Sequence, residues 1–177
     1  FYYCMSLETV ILGDDLTEIP DYGFCACDNL DLESMDLSNI VSIGELAFFY
    51  VKLPETLELE NVEFIGYCAF SEYLGDENAD ADNDENFNLV ELYAPNLKEI
   101  DEQAFYGCKN LSNIMLPDSI VEISDFAFYG CSKITKLPIS ENNEIKGIYD
   151  YAFAYTGLEG EFTPPETLID IGNYAFA

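Results

Sequence analysis

The chain contains no histidine and no arginine, and its only basic residues are six lysines. Without histidine it cannot form the Ser-His or Cys-His pairs that activate a nucleophile. Without arginine it lacks the usual bidentate clamp for phosphate, and no glycine-rich phosphate loop is present. Paired carboxylates could serve a glycosidase, but so acidic a chain offers such pairs by chance. We therefore predict no enzymatic activity and no catalytic residues.

Two further absences limit the possible partners. No segment approaches the 18 or more apolar residues of a membrane span, and no signal peptide is visible, so we expect no direct membrane insertion in this segment. Positive charge is scarce: 35 acidic residues stand against 6 lysines, which gives a net charge of −29. Nucleic acids and anionic membranes are recognised by basic surfaces, and both are excluded as partners. Most of the carboxylates are expected to solvate the surface, although cationic partners or divalent ions would also suit them.

What the chain does contain is one nine-residue phrase that occurs seven times with constant internal spacing. The phrase consists of an aliphatic residue, two others, Ile, three others, a small residue and Phe. It recurs every 22 to 25 residues, and once after 35. Such a period is the signature of a solenoid, in which each unit buries its apolar face against the next. The phrases end at Phe24, Phe48, Phe70, Phe105, Phe128, Phe153 and Phe176.

Each repeat also carries a short segment in which apolar residues alternate with others, as in a β-strand. In residues 111–128, Ile114 and Leu116 share one face, and Pro117 ends the strand because it cannot donate to a ladder. Stacked repeats would join these segments into a parallel sheet. The predicted strand columns are Val10/Leu12, Met35/Leu37, Leu57/Leu59, Leu92/Ala94, Ile114/Leu116 and Leu137/Ile139. The seventh segment, Gly160-x-Phe162, is weaker, and we expect a poor strand there.

The phenylalanines are expected to stack in one internal column of eight, counting Phe1, which precedes Phe24 by 23 residues. Four cysteines, Cys4, Cys27, Cys108 and Cys131, follow this column by three residues, where other units hold Val51, Tyr73 or Thr156. A position that accepts valine or threonine is a packing position, so we predict buried thiols there. A bridge between Cys25 and Cys68 would have to skip a repeat, and we do not expect one.

The segment CKNLSNIMLPDSIVEISDFAFYGCSKI, residues 108–134, resembles the BspA-type leucine-rich repeat, whose pattern is L-x-x-I-x-L-P-x-S-[IV]-x-x-I-x-x-x-A-F-x-x-C. The resemblance covers essentially the whole chain. It implies a mainly β solenoid, a right-handed leucine-rich-repeat superhelix with a parallel β-sheet on one side and short strands or 3₁₀ turns on the other. It also implies an exported protein, extracellular or at the surface of a bacterium or parasitic protist, of a kind associated with adhesion to host proteins and other cells.

Solenoids usually bind partners on an exposed face. The outward residues at the centre of the predicted strands are Ile11, Asp36, Glu58, Tyr93 and Met115. Three of these five are large and apolar, which is typical of an interaction surface, although the same residues also raise strand propensity. They are our candidate partner-binding residues. A second row follows each Phe and is interpreted as structural packing on the other side of the repeat. It consists of Tyr2, Phe49, Tyr106 and Tyr129.

An acidic insertion at 71–88 separates the third and fourth phrases. Calcium takes six to eight oxygen ligands, and oxygen-bearing side chains alternate here in a way that partly resembles the start of an EF-hand loop. Ala81 stands where the glycine of the sharp turn belongs. The alternative is a solvated acidic loop without a ligand. The candidate calcium ligands, the only cofactor site that we predict, are Asp76, Asn78, Asp80, Asp82 and Asp84.

We therefore predict one domain over residues 1–177, an array of about seven leucine-rich repeats interrupted by the acidic insertion. The chain begins inside a repeat and stops one residue after Phe176, so we expect it to be a piece of a longer protein. The predicted function is a cell-surface binding module for a protein or glycan on host or neighbouring cells. The alternative is a structural spacer, or stalk, that presents another domain and contains a calcium-binding loop.

Overall fold

The computed structural model describes residues 1–71, 88–140, 142–161 and 163–177. Within these ranges the chain forms ten short strands and one 3₁₀ helix, Leu32–Ser34, with no α-helix. The strands are β1 (Glu18–Ile19), β2 (Ser42–Ile43), β3 (Thr56–Glu58), β4 (Phe64–Ile65), β5 (Glu91–Tyr93), β6 (Glu99–Ile100), β7 (Asn113–Ile114), β8 (Glu122–Ile123), β9 (Gly147–Ile148) and β10 (Asp170–Ile171). Every pairing between them is parallel, as stacked coils require. The chain is a mainly β repeat solenoid.

The strands at the repeating isoleucines form most of the ladder. Strands β1, β2, β4 and β6 pair in that order, and β8, β9 and β10 form a second group. The register places each isoleucine opposite that of the next coil, as Ile19 opposite Ile43 and Ile43 opposite Ile65. Among the described strands, β6 and β8 are not paired. There the hydroxyl of Ser124 donates to the carbonyl of Ile100 at 2.7 Å and maintains the link between these coils.

The opposite side of each coil differs from the sequence expectation. Only three of the six predicted columns form strands, and these are β3, β5 and β7, which pair in that order. In the second coil the 3₁₀ helix directly precedes Met35, and Met35 and Leu37 are buried without entering a ladder. Because this turn takes the place of a strand in the second coil, β3 has no strand neighbour on that side. No strand forms at Val10/Leu12 or at Met35/Leu37, and both predictions were wrong. The prediction at Leu137/Ile139 was also wrong, because Pro138 between them has no N–H to donate.

The predicted column of phenylalanines is confirmed. Seven successive pairs of rings, from Phe1 to Phe176, have centroids 5.3–6.0 Å apart and planes within 12° of parallel. The central rings are fully buried, with Phe70, Phe105 and Phe128 at 0% exposure. Rings so close and parallel make offset-stacked contacts in addition to burying apolar area. This internal column therefore holds the coils in register over the whole chain.

The turn that carries each phenylalanine contains a further ladder. The backbone N–H of Phe48 donates to the carbonyl of Ala69, and the N–H of Phe128 donates to the carbonyl of Ala152, in each case in the next coil. The residue before the small residue of every phrase has a left-handed backbone, as at Leu46 with φ 53° and Phe126 with φ 57°. Left-handed backbone is uncommon for residues other than glycine. Its recurrence at one position shows that the turn requires it.

None of the six cysteines is in a disulfide, and Cys25 and Cys68 are both buried without forming a bridge. Three cysteines of the predicted column are buried as expected, and their thiols donate to backbone carbonyls: Cys27 to Phe1, Cys108 to Phe70 and Cys131 to Phe105. The prediction that Cys4 is buried was wrong, because it lies in the first coil and is exposed to solvent. The packing interpretation of this column otherwise holds.

The acidic insertion interrupts neither side of the stack. Residues 72–87 lie outside the described part of the chain, but Phe70 stacks on Phe105 with ring centroids 5.5 Å apart. Strand β3 pairs with β5 in register across the same gap. The two coils are therefore direct neighbours in space although the chain between them is longer. At the seventh repeat, the described residues around Gly160 form no strand, as the sequence predicted.

Candidate partner-binding surface

The sheet formed by β3, β5 and β7 turns one residue of each pair inward and the other outward. In β3, Leu57 is buried while Glu58 is exposed, and in β5, Leu92 is buried while Tyr93 is exposed. Alternation of this kind follows from the pleat of a strand. The five candidate residues are all exposed, so the predicted outward orientation is confirmed for Ile11, Asp36, Glu58, Tyr93 and Met115.

The structure brings three of the five candidates together. Glu58 lies opposite Tyr93 in the register of β3 and β5. Met115 follows Ile114, which lies opposite Leu92, so Met115 is next to Tyr93 on the same face. The side chains of Tyr93 and Met115 are 53% and 63% exposed. Two large apolar residues thus lie beside a carboxylate at the centre of the sheet.

A second outward row was missed by sequence reasoning. Thr56, Glu91 and Asn113 occupy equivalent positions in the three strands, two residues before the first row. The side-chain amide of Asn113 donates to Glu91 at 2.7 Å, which fixes both side chains across neighbouring strands. The period of two that located Tyr93 also points to Glu91, so the signal was present in the sequence. This polar row borders the apolar pair.

Asp36 is joined to Glu58 by a shallow groove of about 350 Å³ rather than by strand pairing. The groove exists because the 3₁₀ helix Leu32–Ser34 replaces a strand in the second coil. Hydrogen bonds from the hydroxyl and the backbone N–H of Ser38 lower the pKa of the Asp36 carboxyl. The groove therefore has an ionised carboxylate on one wall and Glu58 on the other.

Ile11 is not part of this arrangement. Its side chain is 98% exposed, and its coil contributes no strand to the sheet of β3, β5 and β7. Of the five predicted residues, the structure therefore gathers Glu58, Tyr93 and Met115 directly and Asp36 through the groove. Ile11 remains an isolated apolar side chain in the first coil.

A larger groove of about 750 Å³ lies where the chain enters these strands. Acidic side chains line it from several coils, and Lys52 is the only basic residue among its lining residues. Sequence reasoning also missed this groove, because its residues are adjacent only after the coils have stacked. The charged lining residues are Asp28, Asp31, Glu33, Lys52 and Glu55.

Within the described residues, no group of three or more cysteines, aspartates or glutamates is placed to hold a metal ion. The predicted calcium ligands Asp76, Asn78, Asp80, Asp82 and Asp84 lie outside those residues. Calcium binding by the insertion therefore stays a prediction. No helix of the described chain has the length and apolar character needed to cross a bilayer.

Stacked coils, an inner column of phenylalanines and a parallel sheet on one side define a leucine-rich-repeat protein. The model of the BspA-type leucine-rich repeat region matches residues 1–75 and 82–177 in six copies. The chain belongs to the BspA-type leucine-rich-repeat family. Leucine-rich repeats of this family form non-enzymatic modules for protein interaction.

Solved structures similar to this chain include two leucine-rich-repeat proteins. A leucine-rich repeat protein from Eubacterium ventriosum has a TM-score of 0.71 and 21% identity over 95% of this chain and 42% of its own. A leucine rich cell surface protein from Faecalibacterium prausnitzii has a TM-score of 0.52 and 21% identity over 100% of this chain and 52% of its own. The chain thus spans about half the length of these proteins, or less, and at this identity they support the fold. A comparison with curated proteins finds no match.

Proposed function

We propose that this chain is a cell-surface adhesion module that binds a protein on host or neighbouring cells through the face of β3, β5 and β7. The observation that supports this proposal is the adjacent pair Tyr93 and Met115, both more than half exposed and bordered by Glu58. Aromatic and methionine side chains are enriched at the centres of protein interfaces, and charged residues surround them. The description of the Faecalibacterium prausnitzii protein as a cell surface protein supports the location.

The arrangement of polar residues favours a protein partner over a glycan. The hydrogen bond between Asn113 and Glu91 fixes a polar border on one side of the apolar pair. The groove between Asp36 and Glu58 places carboxylates on the other. An apolar centre with a polar rim is the usual anatomy of a protein interface. A partner that fits this face would offer an apolar side chain to Tyr93 and basic or amide groups to the carboxylates.

Retention on immobilised host matrix proteins tests the proposal. We compare the parent with a Tyr93→Ala/Met115→Ala double variant. The matched control is Val41→Ala/Val121→Ala, which removes two exposed apolar side chains on the isoleucine side. Since an interface hot spot contributes about 2 kcal/mol or more, the double variant should bind at least tenfold more weakly to any protein that retains the parent. The control should bind like the parent.

Two results would contradict this function. If the double variant and the parent were recovered equally, the strand face would not be the binding surface. If the parent were retained by none of the matrix proteins or host cells, the chain would fit the alternative of a structural spacer. Urea unfolding of both variants verifies that the coils remain stacked, because the substituted side chains are exposed and contribute little to the core.

A further inference from the structure

Two files of aromatic side chains lie on the turns that follow the repeating isoleucines, on a different side of the coil from β3, β5 and β7. In the first file, the ring of Phe126 lies 4.8 Å from Tyr151, and Tyr151 lies 5.1 Å from Tyr174. In the second, Tyr106 lies 4.6 Å from Tyr129, and Tyr129 lies 5.1 Å from Tyr155. We name these six residues the aromatic shoulder.

The two files form one surface, because the rings of Phe126 and Tyr129 are 5.7 Å apart and link them. Tyr155 and Tyr174 are each 65% exposed, and the other four rings are half-buried. Tyr155 is inclined at 60° to Tyr129, so the rings do not all pack face to face. The shoulder therefore presents ring surface and hydroxyl groups to solvent over several coils.

Packing alone does not account for the shoulder. Some of the equivalent positions in the earlier coils are filled by Cys25, Phe49 and Cys68, which form a small buried cluster with Ala26. The turn can thus be closed with small or fully covered side chains. Exposed tyrosines also occupy these positions in the earlier coils, as at Tyr22 and Tyr50, but each meets its neighbouring ring edge-on. The partly exposed stack of the later coils is therefore not required by the repeat.

A file of carboxylates lies directly beside the shoulder. Asp125 and Asp150 precede Phe126 and Tyr151 in the chain, and they line a groove of about 550 Å³ together with Asp101, Glu102 and Asp170. No basic residue lines this groove, and residues 147–177 contain five acids and no base. The potential beside the aromatic rings is therefore strongly negative.

The backbone holds these carboxylates in place. Asp125 accepts a hydrogen bond from the N–H of Asp150 at 2.7 Å, and Asp150 accepts one from the N–H of Asn173 at 2.5 Å. Fixed carboxylates lose little conformational freedom when a partner binds. Charged groups and rings are thus arranged before any ligand arrives.

We propose that the aromatic shoulder and the adjacent acidic groove bind an extended, arginine- and lysine-rich segment of a protein partner. The aliphatic stem of a basic side chain packs on aromatic rings while its head group reaches a carboxylate. Arginine in addition stacks its planar guanidinium on a tyrosine ring. Coils about 4.8 Å apart offer a ring and a carboxylate at regular intervals to a chain that runs along the stack. A neutral glycan would use the rings but would leave the charge of the groove unmatched.

The probe for this surface is a fluorescent oligo-arginine peptide, titrated at physiological ionic strength, with oligo-glutamate and a neutral β-glucan oligosaccharide as comparisons. A net charge of −29 attracts any polycation, so the informative variants leave the charge unchanged. Tyr151→Ala/Tyr155→Ala removes two rings of the shoulder. Tyr22→Ala/Tyr50→Ala removes two tyrosines from the same repeat positions in earlier coils, also exposed and also with left-handed backbone.

We expect the shoulder variant to bind oligo-arginine about five- to tenfold more weakly, since each cation–π contact contributes a factor of roughly two to five. The Tyr22/Tyr50 control should bind as the parent does. A second comparison tests the groove with two pairs that remove the same charge. Asp101→Asn/Asp170→Asn should weaken binding more than Asp14→Asn/Asp15→Asn. Near-ultraviolet circular dichroism and urea unfolding verify that each variant is folded.

Several outcomes would overturn this inference. One is that the shoulder variant binds oligo-arginine as tightly as the parent does, and another is that the Tyr22/Tyr50 control loses as much affinity as the shoulder variant. Equal losses of affinity in the two aspartate pairs would likewise count against the inference. Binding of the oligosaccharide but not of oligo-arginine, with dependence on Tyr151 and Tyr155, would identify a glycan surface instead. The strand face is not involved, so failure here is independent of the function proposed above.

Discussion

The carboxylate of Asp125 accepts a hydrogen bond from the backbone N–H of Asp150 in the next coil, at 2.7 Å. The same relationship joins Asp21 to Glu45 at 2.8 Å and Asp150 to Asn173 at 2.5 Å. In all three cases the carboxylate stands two residues after the repeating isoleucine. Part of the acidity of the chain therefore has a structural role, which is to bind the backbone of one coil to the next.

Replacing Asp125 by alanine should lower the free energy of unfolding by about 1–3 kcal/mol, because a hydrogen bond to a charged acceptor is lost and a backbone N–H loses its partner. Asp125→Asn keeps an oxygen acceptor at the same place and should retain most of the stability. Urea unfolding measures both. Equal destabilisation by the two substitutions would show that the charge, and not the hydrogen bond, matters.

The internal column of phenylalanines yields a second prediction. Phe105→Ala should destabilise the chain by about 3–5 kcal/mol, because a fully buried ring is removed from between two neighbours. Phe1→Ala is the matched control, since Phe1 contacts one ring and is largely exposed. It should cost much less. Thermal or urea unfolding of Phe105→Ala that matched the parent would refute the stacking model.

A third prediction concerns two glycines in different environments. A Cβ at Gly66 would lie 2.8–2.9 Å from backbone atoms of Gly44 and Glu45, so Gly66→Ala forces neighbouring coils apart and should cost about 1–3 kcal/mol or more. A Cβ at Gly130 meets nothing closer than 3.8 Å, and its φ of +74° is the main obstacle. Gly130→Ala should therefore cost about 1 kcal/mol. Denaturant unfolding compares the two, and an equal effect would contradict the close approach at Gly66.

The buried thiol of Cys68 makes the stability depend on alkaline pH. Burial raises the pKa of Cys68 from 9.0 to about 11. Since the unfolded thiol ionises first, unfolding releases a proton in this range and stability falls as pH rises from about 9 to about 11. Tyr22, Tyr67, Tyr129 and Tyr149 have raised pKa values and act in the same direction.

Cys68→Ala should remove the thiol's share of this dependence. Between pH 9 and pH 11, the free energy of unfolding of Cys68→Ala should fall less than that of the parent. The cavity left by the substitution lowers stability equally at both pH values and cancels from this difference. Urea unfolding at the two limits measures the difference. The control is Cys4→Ala, which removes an exposed thiol instead of a buried one. An unchanged slope in Cys68→Ala would contradict the assignment.

The acidic insertion provides the fifth prediction. If residues 76–84 bind calcium, calorimetric titration of the parent gives heat that Asp80→Ala/Asp82→Ala abolishes. Asp14→Ala/Asp15→Ala removes the same charge from an exposed acidic pair in the first coil and should leave the heat unchanged. A parent that gives no heat would end the hypothesis of a calcium loop.

The column of phenylalanines and the burial of the repeating isoleucines from Ile19 to Ile148 could be predicted because they depend only on the spacing of the phrase, which is constant. Ile171, in the last coil, is half-exposed because no further coil covers it in the described chain. The strands could be predicted less well. Met35/Leu37 and Leu57/Leu59 have the same alternation, yet a 3₁₀ turn precedes the first pair and only the second enters a ladder. Whether such a segment enters a ladder depends on the geometry of the preceding turn and on a neighbouring strand with which to pair. An alternating pattern contains no information on either.

The candidate surface shows the same division. The outward orientation of Tyr93 and Met115 follows from strand alternation, and the sequence sufficed for it. That Glu58 lies opposite Tyr93 depends on register across the insertion, which the sequence does not fix. The aromatic shoulder was interpreted as packing because Tyr106 and Tyr129 recur at one position. Its first file, from Phe126 to Tyr174, became visible only when the coils were stacked.

All the strand pairings in the described part of the chain join consecutive coils. The mechanical consequence is that a pull on the two ends does not have to break the whole molecule at once. Each coil resists through the contacts with the coils on either side of it, so an applied force peels the array stepwise from its ends. On the isoleucine side, the ladder itself is interrupted between Ile100 and Ile123, where the hydroxyl of Ser124 makes the contact that a strand pair makes elsewhere.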